Sequence, residues 1–395
     1  MLRPEDGFSL LEIVIATALM LLVTAGVFSM MDPAHGSFAT EPEKADLQQR
    51  LRVGADTLSK DLIMAGAGAY LGTGVGSLSA FFAPVLPFRQ GATGGDPAGA
   101  FATDRITMMY VPSTAAQTTL SADLTPISLA LQVNTENGCP RNVSLCGFTS
   151  GMSVLVYDDS GAYDMFTITS VIGALAQVSI NRPAGAATKT YEKDVTKVVE
   201  AVSHTYYLKT DEATETFQLM QYDGTSHAGV PVADHVVGLT FDYYGDPNPP
   251  VLKKPVSDPT GPWTTYGPKP PALRAKPTAY PAGENCTFTI DGTGLRMPRL
   301  AVLGGGNPTL VKLTPAQLTD GPWCPDETNP NRWDADLLRI RKVAVTLRVE
   351  TAAKALRGPA GVLFTHGGTS RRGSRWVPDQ EIRFQVTPRN LNLGR

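Results

Sequence analysis

Between Phe8 and Met31 the chain carries one charged residue, Glu12, in 24 positions. At about 1.5 Å rise per residue such a run makes a helix of roughly 36 Å, long enough to span the hydrocarbon core of a bilayer. Asp32-Pro-Ala-His-Gly36 predicts an interruption, because Pro33 lacks a backbone donor and Gly36 is a weak helix former. Thr40-Glu-Pro-Glu43 then reads as a capping box that starts a new helical stretch. From Glu41 to Ala65, Leu47, Leu51, Ala55, Leu58 and Leu62 fall on one apolar stripe. Gln48, Gln49, Arg50, Arg52, Asp56 and Lys60 lie mostly off it, and Gly66, Gly68, Gly72, Gly74 and Gly76 close the segment.

Beyond this point the apolar residues alternate, which predicts strands. The candidates are Arg105–Val111, Met152–Tyr157, Met165–Val171, Val195–Leu208, Thr216–Gln221, Val236–Tyr244, Val343–Glu350 and Glu381–Val386. Asp158-Asp-Ser-Gly161 reads as a hairpin loop between the second and third of them. Gly91–Asp104 reads as a surface loop. Asp246–Tyr280 is dense in proline and reads as an irregular excursion, with Trp263, Tyr266 and Tyr280 giving it something to bury. The expected class is α+β: a long kinked N-terminal helix on a large antiparallel β-rich head. The expected boundaries are a short polar stretch at 1–7, an apolar helix of membrane length at 8–31, its amphipathic continuation at 32–66, and the head at 67–395 with a Pro-rich insertion around 246–285.

Composition narrows this picture only a little. A net charge of −3 gives no field that selects nucleic acid or anionic lipid, and 38 Gly with 31 Pro suit a β-rich head with many turns. The four cysteines suggest two disulfides if the head lies outside the cytoplasm. Of three pairings, Cys139–Cys146 with Cys286–Cys324 closes the shortest loops; a four-thiolate zinc site is the weaker alternative, since no CxxC knuckle occurs.

A secretory signal peptide fits the N-terminus poorly. The polar stretch before the apolar run is seven residues long and contains acids, and no A-x-A site follows. A plain signal anchor fits the length but leaves Glu12 unexplained, and a carboxylate inside an apolar span calls for a cationic partner. Gly7-Phe8-Ser9-Leu10-Leu11-Glu12 resembles the prepilin peptidase site shared by type IV pilins and type II secretion pseudopilins. The resemblance implies cleavage between Gly7 and Phe8, N-methylation of Phe8, and an assembly ion pair between Glu12 and the freed Phe8 amine. Leaders of that family are usually basic, whereas Arg3 is the only cation here. Looser likeness to PilW-like minor pilins appears in Leu47–Arg52, Leu58–Gly66, Pro231–Tyr244, Leu338–Arg348 and Val386–Leu391.

Candidate chemistry elsewhere is thin. Asp158, Asp159 and Asp164 lack EF-hand spacing and read as a solvated turn. Asp326, Asn329, Asn331, Asp334 and Asp336 form a weak calcium candidate beside Cys324 and Trp333. His35, His204, His227, His235 and His366 sit in unrelated contexts, and no nucleophile elbow, zincin helix or phosphate loop occurs, so no enzyme and no cofactor are expected. Residues 332–395 hold thirteen Lys/Arg against five Asp/Glu, with Arg371, Arg372 and Arg375 near Trp376. Solvated strand faces are the expected reading of that excess, ahead of contact with DNA.

The resemblance implies a minor pilin that primes type IV pilus assembly, near the filament tip. Its partners would be other pilins, the prepilin peptidase, the membrane and a tip adhesin, with nucleic acid not expected among them. The alternatives are a J-like pseudopilin of type II secretion, or a pilus-tip module for adhesion or DNA binding. The implied location is the inner membrane, single-pass with a periplasmic head, and after assembly an extracellular pilus or a periplasmic pseudopilus.

Overall fold

A computed structural model of the chain describes residues 9–70, 76–90, 100–113, 116–135, 144–159, 161–181, 189–224, 228–248, 288–290, 296–298, 309–320, 323–324, 333–371 and 373–392. The class is α+β, with an N-terminal apolar helix and an antiparallel β-rich head. The chain forms two compact units, one of Met1–Leu51 with Val349–Gln380 and one of Arg52–Arg348 with Glu381–Arg395.

Helix α1 runs without a break from Leu10 to Met64. The predicted interruption at Asp32–Gly36 does not occur. A proline removes a single backbone donor, and intact turns on either side can carry the helix through it. The predicted capping box is also interior to the helix: Thr40 Oγ1 donates back to the Ser37 carbonyl (3.5 Å), and Glu43 accepts from Thr351 instead of from its own helix start. The stripe is real. Leu47, Leu51, Leu58 and Leu62 are buried, while Arg52, Asp56 and Lys60 face solvent. The helix stops where Gly66 takes a φ of +79°, the left-handed turn that glycine supplies at a helix C-terminus.

In the larger unit, a five-stranded antiparallel sheet has the order Val85–Leu86, Arg105–Tyr110, Val202–Asp211, Thr216–Tyr222, Val230–Asp234. A four-stranded sheet has the order Val311–Lys312, Val236–Gly245, Ile340–Val349, Gln380–Val386. Gly54 of α1 lies where a Cβ would come within 2.7 Å of a Leu347 methyl and 3.4 Å of a Leu219 methyl, so this turn of the helix touches both sheets.

The third sheet was not foreseen as a separate body. Its order is Gln117–Thr119, Lys197–Glu200, Ser153–Tyr157, Tyr163–Ile172, Gln177–Asn181, Ala130–Gln132. Its outer strands meet through a Leu120–Val133 bridge, with Ser121 N donating to Gln132 O (2.8 Å) and Asn134 N to Thr119 O (2.9 Å). The sheet therefore closes into a six-stranded antiparallel barrel, leaving no free edge. Its interior is an apolar cluster that includes Leu120, Leu131, Val154, Val156, Phe166, Ile168, Val178 and Val198. The barrel is inserted between Arg105–Tyr110 and Val202–Asp211, which are hydrogen-bonded neighbours in the five-stranded sheet. The expected strand Val195–Leu208 is thus two strands in two sheets, divided at Ala201. The apolar and β-branched run continues across the division, buried on both faces up to Val199 and alternating after Ala201, and nothing in consecutive residues marks the change of sheet.

Most of the expected loop at Gly91–Asp104 and nearly all of Asp246–Tyr280 lie outside the described residues. The start of the latter is anchored. Asp246 is buried and receives Arg341 Nη2 at 2.6 Å, and its carbonyl accepts from Arg339 Nε at 2.8 Å. Arg339 also donates to the Pro247 carbonyl (2.8 Å). This closeness requires Gly245, where a Cβ would lie 2.0 Å from the Arg339 carbonyl oxygen. Because backbone blocks the site, Gly245→Ala is expected to cost about 3 kcal/mol or more, at the upper end for overpacking. Denaturant unfolding checks this against Gly26→Ala, where nothing lies within 4 Å and no loss is expected.

Candidate functional site

The N-terminal half of α1 is built to be surrounded by something apolar. Leu10–Met30 is long and apolar enough to cross a membrane, the property of a membrane anchor or a signal sequence, and none of it is buried. Its hydroxyls return to the helix: Thr17 Oγ1 donates to the Ile13 carbonyl (2.9 Å), Thr24 Oγ1 to Met20 (2.6 Å) and Ser29 Oγ to Gly26 (3.0 Å). The hydroxyls thereby satisfy themselves within the helix, as an apolar surrounding would require. Glu12 also has a local partner that the pattern did not reveal. Ser9 N donates to Glu12 Oε2 (2.9 Å) while Glu12 N donates to Ser9 Oγ (3.2 Å), a capping box at the helix start. Gly7 and Phe8, the expected cleavage and methylation positions, lie outside the described residues.

In the larger unit, α1 meets the five-stranded sheet through one buried carboxylate. Asp61 Oδ2 accepts from Tyr206 OH (2.6 Å) and faces His204 Nδ1 (2.6 Å), and Asp61 Oδ1 accepts from Tyr110 OH (3.0 Å). Gln221 Nε2 donates to the Tyr206 oxygen at 2.8 Å and completes the group. Gln221 also lies 3.0 Å from His204 Nδ1, but the Asp61 carboxylate at 2.6 Å accepts the Nδ1–H hydrogen bond, so the Gln221 contact with Tyr206 is the productive one. Tyr110, His204, Tyr206 and Gln221 come from three neighbouring strands, and the pleat places them on the face toward the helix. Burial pushes the Asp61 carboxyl up, but donation from His204 and Tyr206, the His204 charge and the Tyr110 hydroxyl outweigh it and hold the group below its ordinary range. Sequence reasoning passed over Asp61 because it borders the apolar stripe, and nothing local says that three donors await it.

The remaining candidates resolve into structural roles or fall outside the described residues. Cys146 and Cys324 are buried and neither is a free thiol; Cys139 and Cys286 lie outside the described residues, and so does the expected pairing. The loop carboxylates are not solvated as expected. Asp158 pairs with Lys189 (2.5 Å), Asp159 with Lys197 (2.8 Å), and Asp164 accepts from Tyr191 OH (2.8 Å). The lysines arrive from chain 30 or more residues away, which is why spacing could not show them.

Of the weak calcium candidates, Asp326 lies outside the described residues, as do Asn329 and Asn331. Asp334 caps a short 3-10 turn by accepting from Asp336 N (2.8 Å), and Asp336 pairs with Arg339 (3.0 Å). Asp320 joins them, with one ligand atom from each acid within 4.8 Å of the others, and burial pushes the Asp336 carboxyl up to about 6. Arg339 already supplies positive charge here, and nothing further points to an ion.

The C-terminal basic excess is likewise partly internal. Arg339, Arg341 and Arg357 are buried against Asp336, Asp246 and Glu350, contrary to the expected solvated faces. In the smaller unit Glu350 is fully buried between Arg357 Nη1 (3.2 Å) and His366 Nδ1 (2.9 Å), so His366 has a packing role. Arg371 is exposed, Trp376 is half-buried with its ring edge-on to Phe364, and Arg372 lies outside the described residues. His35 and His227 have no described side chain, and His235 sits at a positive φ of 57° between two strands.

Comparisons of the chain with protein-family models, with curated proteins and with solved structures find no match.

The Asp61 group generates a pH prediction. An unfolded aspartate titrates near about 3.9. Since the folded value is lower, the stabilisation is fully present above that pH and is lost as pH falls through the folded value. Asp61→Asn is expected to lower stability at pH 7 by about 2–3 kcal/mol, the scale of a hydrogen-bonded charge. Denaturant melts from pH 7 to pH 3 should show the two proteins converging only below about pH 4.

Proposed function

We propose that the chain is a membrane-stored filament subunit of the type IV pilin and pseudopilin class, with the minor, tip-proximal role expected of PilW-like subunits. The observation that carries this reading is the single helix from Leu10 to Met64, whose first half is wholly uncovered and apolar and whose second half packs on antiparallel sheets. A helix of that kind needs a second apolar environment for its free half. Lipid supplies it before assembly, and the helices of neighbouring subunits supply it in a filament. A signal sequence would be discarded, and would have no need to continue unbroken into the folded head.

The Ser9–Glu12 capping box supports a particular sequence of events. While the leader is attached, Ser9 N–H and the helix start occupy the Glu12 carboxylate. Cleavage before Phe8 would place a charged amine within one turn of it, and exchange of partners would then set subunit register by an ion pair that hydrocarbon strengthens. The head contributes bulk and a surface, with no reacting constellation proposed.

The test is the mature N-terminus by mass spectrometry, from cells with and without prepilin peptidase. The expected product begins at N-methylated Phe8 only when the peptidase is present. A chain that keeps its leader beside active peptidase would contradict the proposal. Glu12→Ala should be processed and methylated normally yet be recovered at least tenfold less from sheared filaments, since only assembly depends on the ion pair.

A further inference from the structure

Where the inserted barrel joins the five-stranded sheet, the chain forms an open cleft of about 460 Å³. Ser150 and Ser153 line it from the barrel, Glu200, Ser203 and His204 from the crossover around Ala201, and Asp223 from the far side. The walls are held by backbone: Ala201 N donates to the Ser153 carbonyl (3.0 Å), and Gly151 N to the Ile168 carbonyl (2.8 Å). No lysine or arginine is among the lining residues. His204 is there with its Nδ1 already committed to Asp61.

Two polar atoms of residues lining this cleft, Glu200 Oε2 and Ser203 Oγ, are shielded and find no hydrogen-bond partner among the described residues. Among the described residues Glu200 Oε2 is shielded from solvent and meets no hydrogen-bond donor, while the Glu200 side chain as a whole is half-buried. Ser203 is 2% exposed and its hydroxyl also finds no partner. Elsewhere in this unit the shielded carboxylates are matched: Asp158 by Lys189, Asp246 by Arg341, Asp61 by three donors. A carboxylate oxygen withdrawn from water without compensation is costly, and the cost is removed by a cation that also donates hydrogen bonds.

We propose that this cleft binds an organic cation, an alkylammonium or guanidinium group, with Glu200 as its counter-ion and the Ser203 hydroxyl as a further acceptor. A divalent metal fits less well. It needs several oxygens converging on one point, and among the described residues the acidic and histidine atoms around this cleft do not form such a group, whereas the three aspartates near Arg339 do. A guanidinium or ammonium spreads its donors over acceptors that stand apart, which is what separated serine, glutamate and aspartate side chains offer. The volume suits a small amine or one side chain of a partner protein. The inference does not depend on the filament reading.

The test uses the full chain in detergent micelles and two probes, agmatine as a free cation and the blocked tripeptide acetyl-Gly-Arg-Gly-amide as a side chain. Isothermal titration calorimetry at constant ionic strength should give saturable, one-site binding of at least one probe. Glu200→Gln should weaken it at least tenfold and Ser203→Ala by a few-fold, with melting temperatures of both variants at or above wild type. Tighter binding of agmatine would identify a small-molecule site, and tighter binding of the peptide a partner's side chain. Absence of saturable binding by either probe, equal affinity in Glu200→Gln, or displacement of the bound probe by equimolar calcium chloride would overturn the proposal.

Discussion

The structure depends on one helix satisfying two incompatible surroundings. From Leu10 to Met30 it offers side chains that only an apolar medium can cover, and by Leu58 and Leu62 it is part of a protein core. Hydrophobic burial alone would hold the second part loosely in rotation and register, because leucines slide over a sheet at little cost. Asp61 removes that freedom. Its carboxylate accepts hydrogen bonds from Tyr110, Tyr206 and His204, so the helix turn carrying it can sit at only one position on the sheet. Gly54 permits close approach two turns earlier, and together they convert a greasy contact into a specified one.

The same economy appears where distant segments are joined. Arg339 and Arg341 draw the start of the proline-rich stretch to the strand Ile340–Val349 through Asp246 and Pro247, across more than ninety residues. Lys189 and Lys197 close over the barrel's hairpin loop. Buried charges of this kind add little net stability, but removing one partner is expensive, so they penalise wrong arrangements more than they reward the right one. Glu200 stands apart from them, with one carboxylate oxygen shielded and no partner for it among the described residues.

The sequence showed what is periodic and concealed what is assembled. The membrane-length run, the stripe through Leu58 and Leu62, and most long strands were legible because each is written in consecutive residues. The barrel was not, since its closure rests on Leu120 meeting Val133 and its last strand runs on into another sheet after one residue, Ala201. Asp61 draws no reading from the pattern, and Arg339 and Arg341 fall among the expected solvated strand faces, because the Tyr110, His204 and Tyr206 donors and the Asp246 anchor are remote in the chain. The continuity of the helix through Pro33 was misjudged for a different reason: a local breaker was weighed without the strong helical turns on both sides of it.

The central claim is that the helix from Leu10 to Met64 is retained as one element, lipid-facing at one end and sheet-bound at the other. Hydrogen–deuterium exchange of the mature chain in lipid nanodiscs, read by mass spectrometry, tests it directly. The account predicts peptides covering residues 10–30 in the mature protein, slow to exchange, with helical protection continuing through residues 31–40 to Met64. Absence of residues 10–30 from the mature chain, or rapid exchange across residues 31–40 that separates two independent helices, would contradict it.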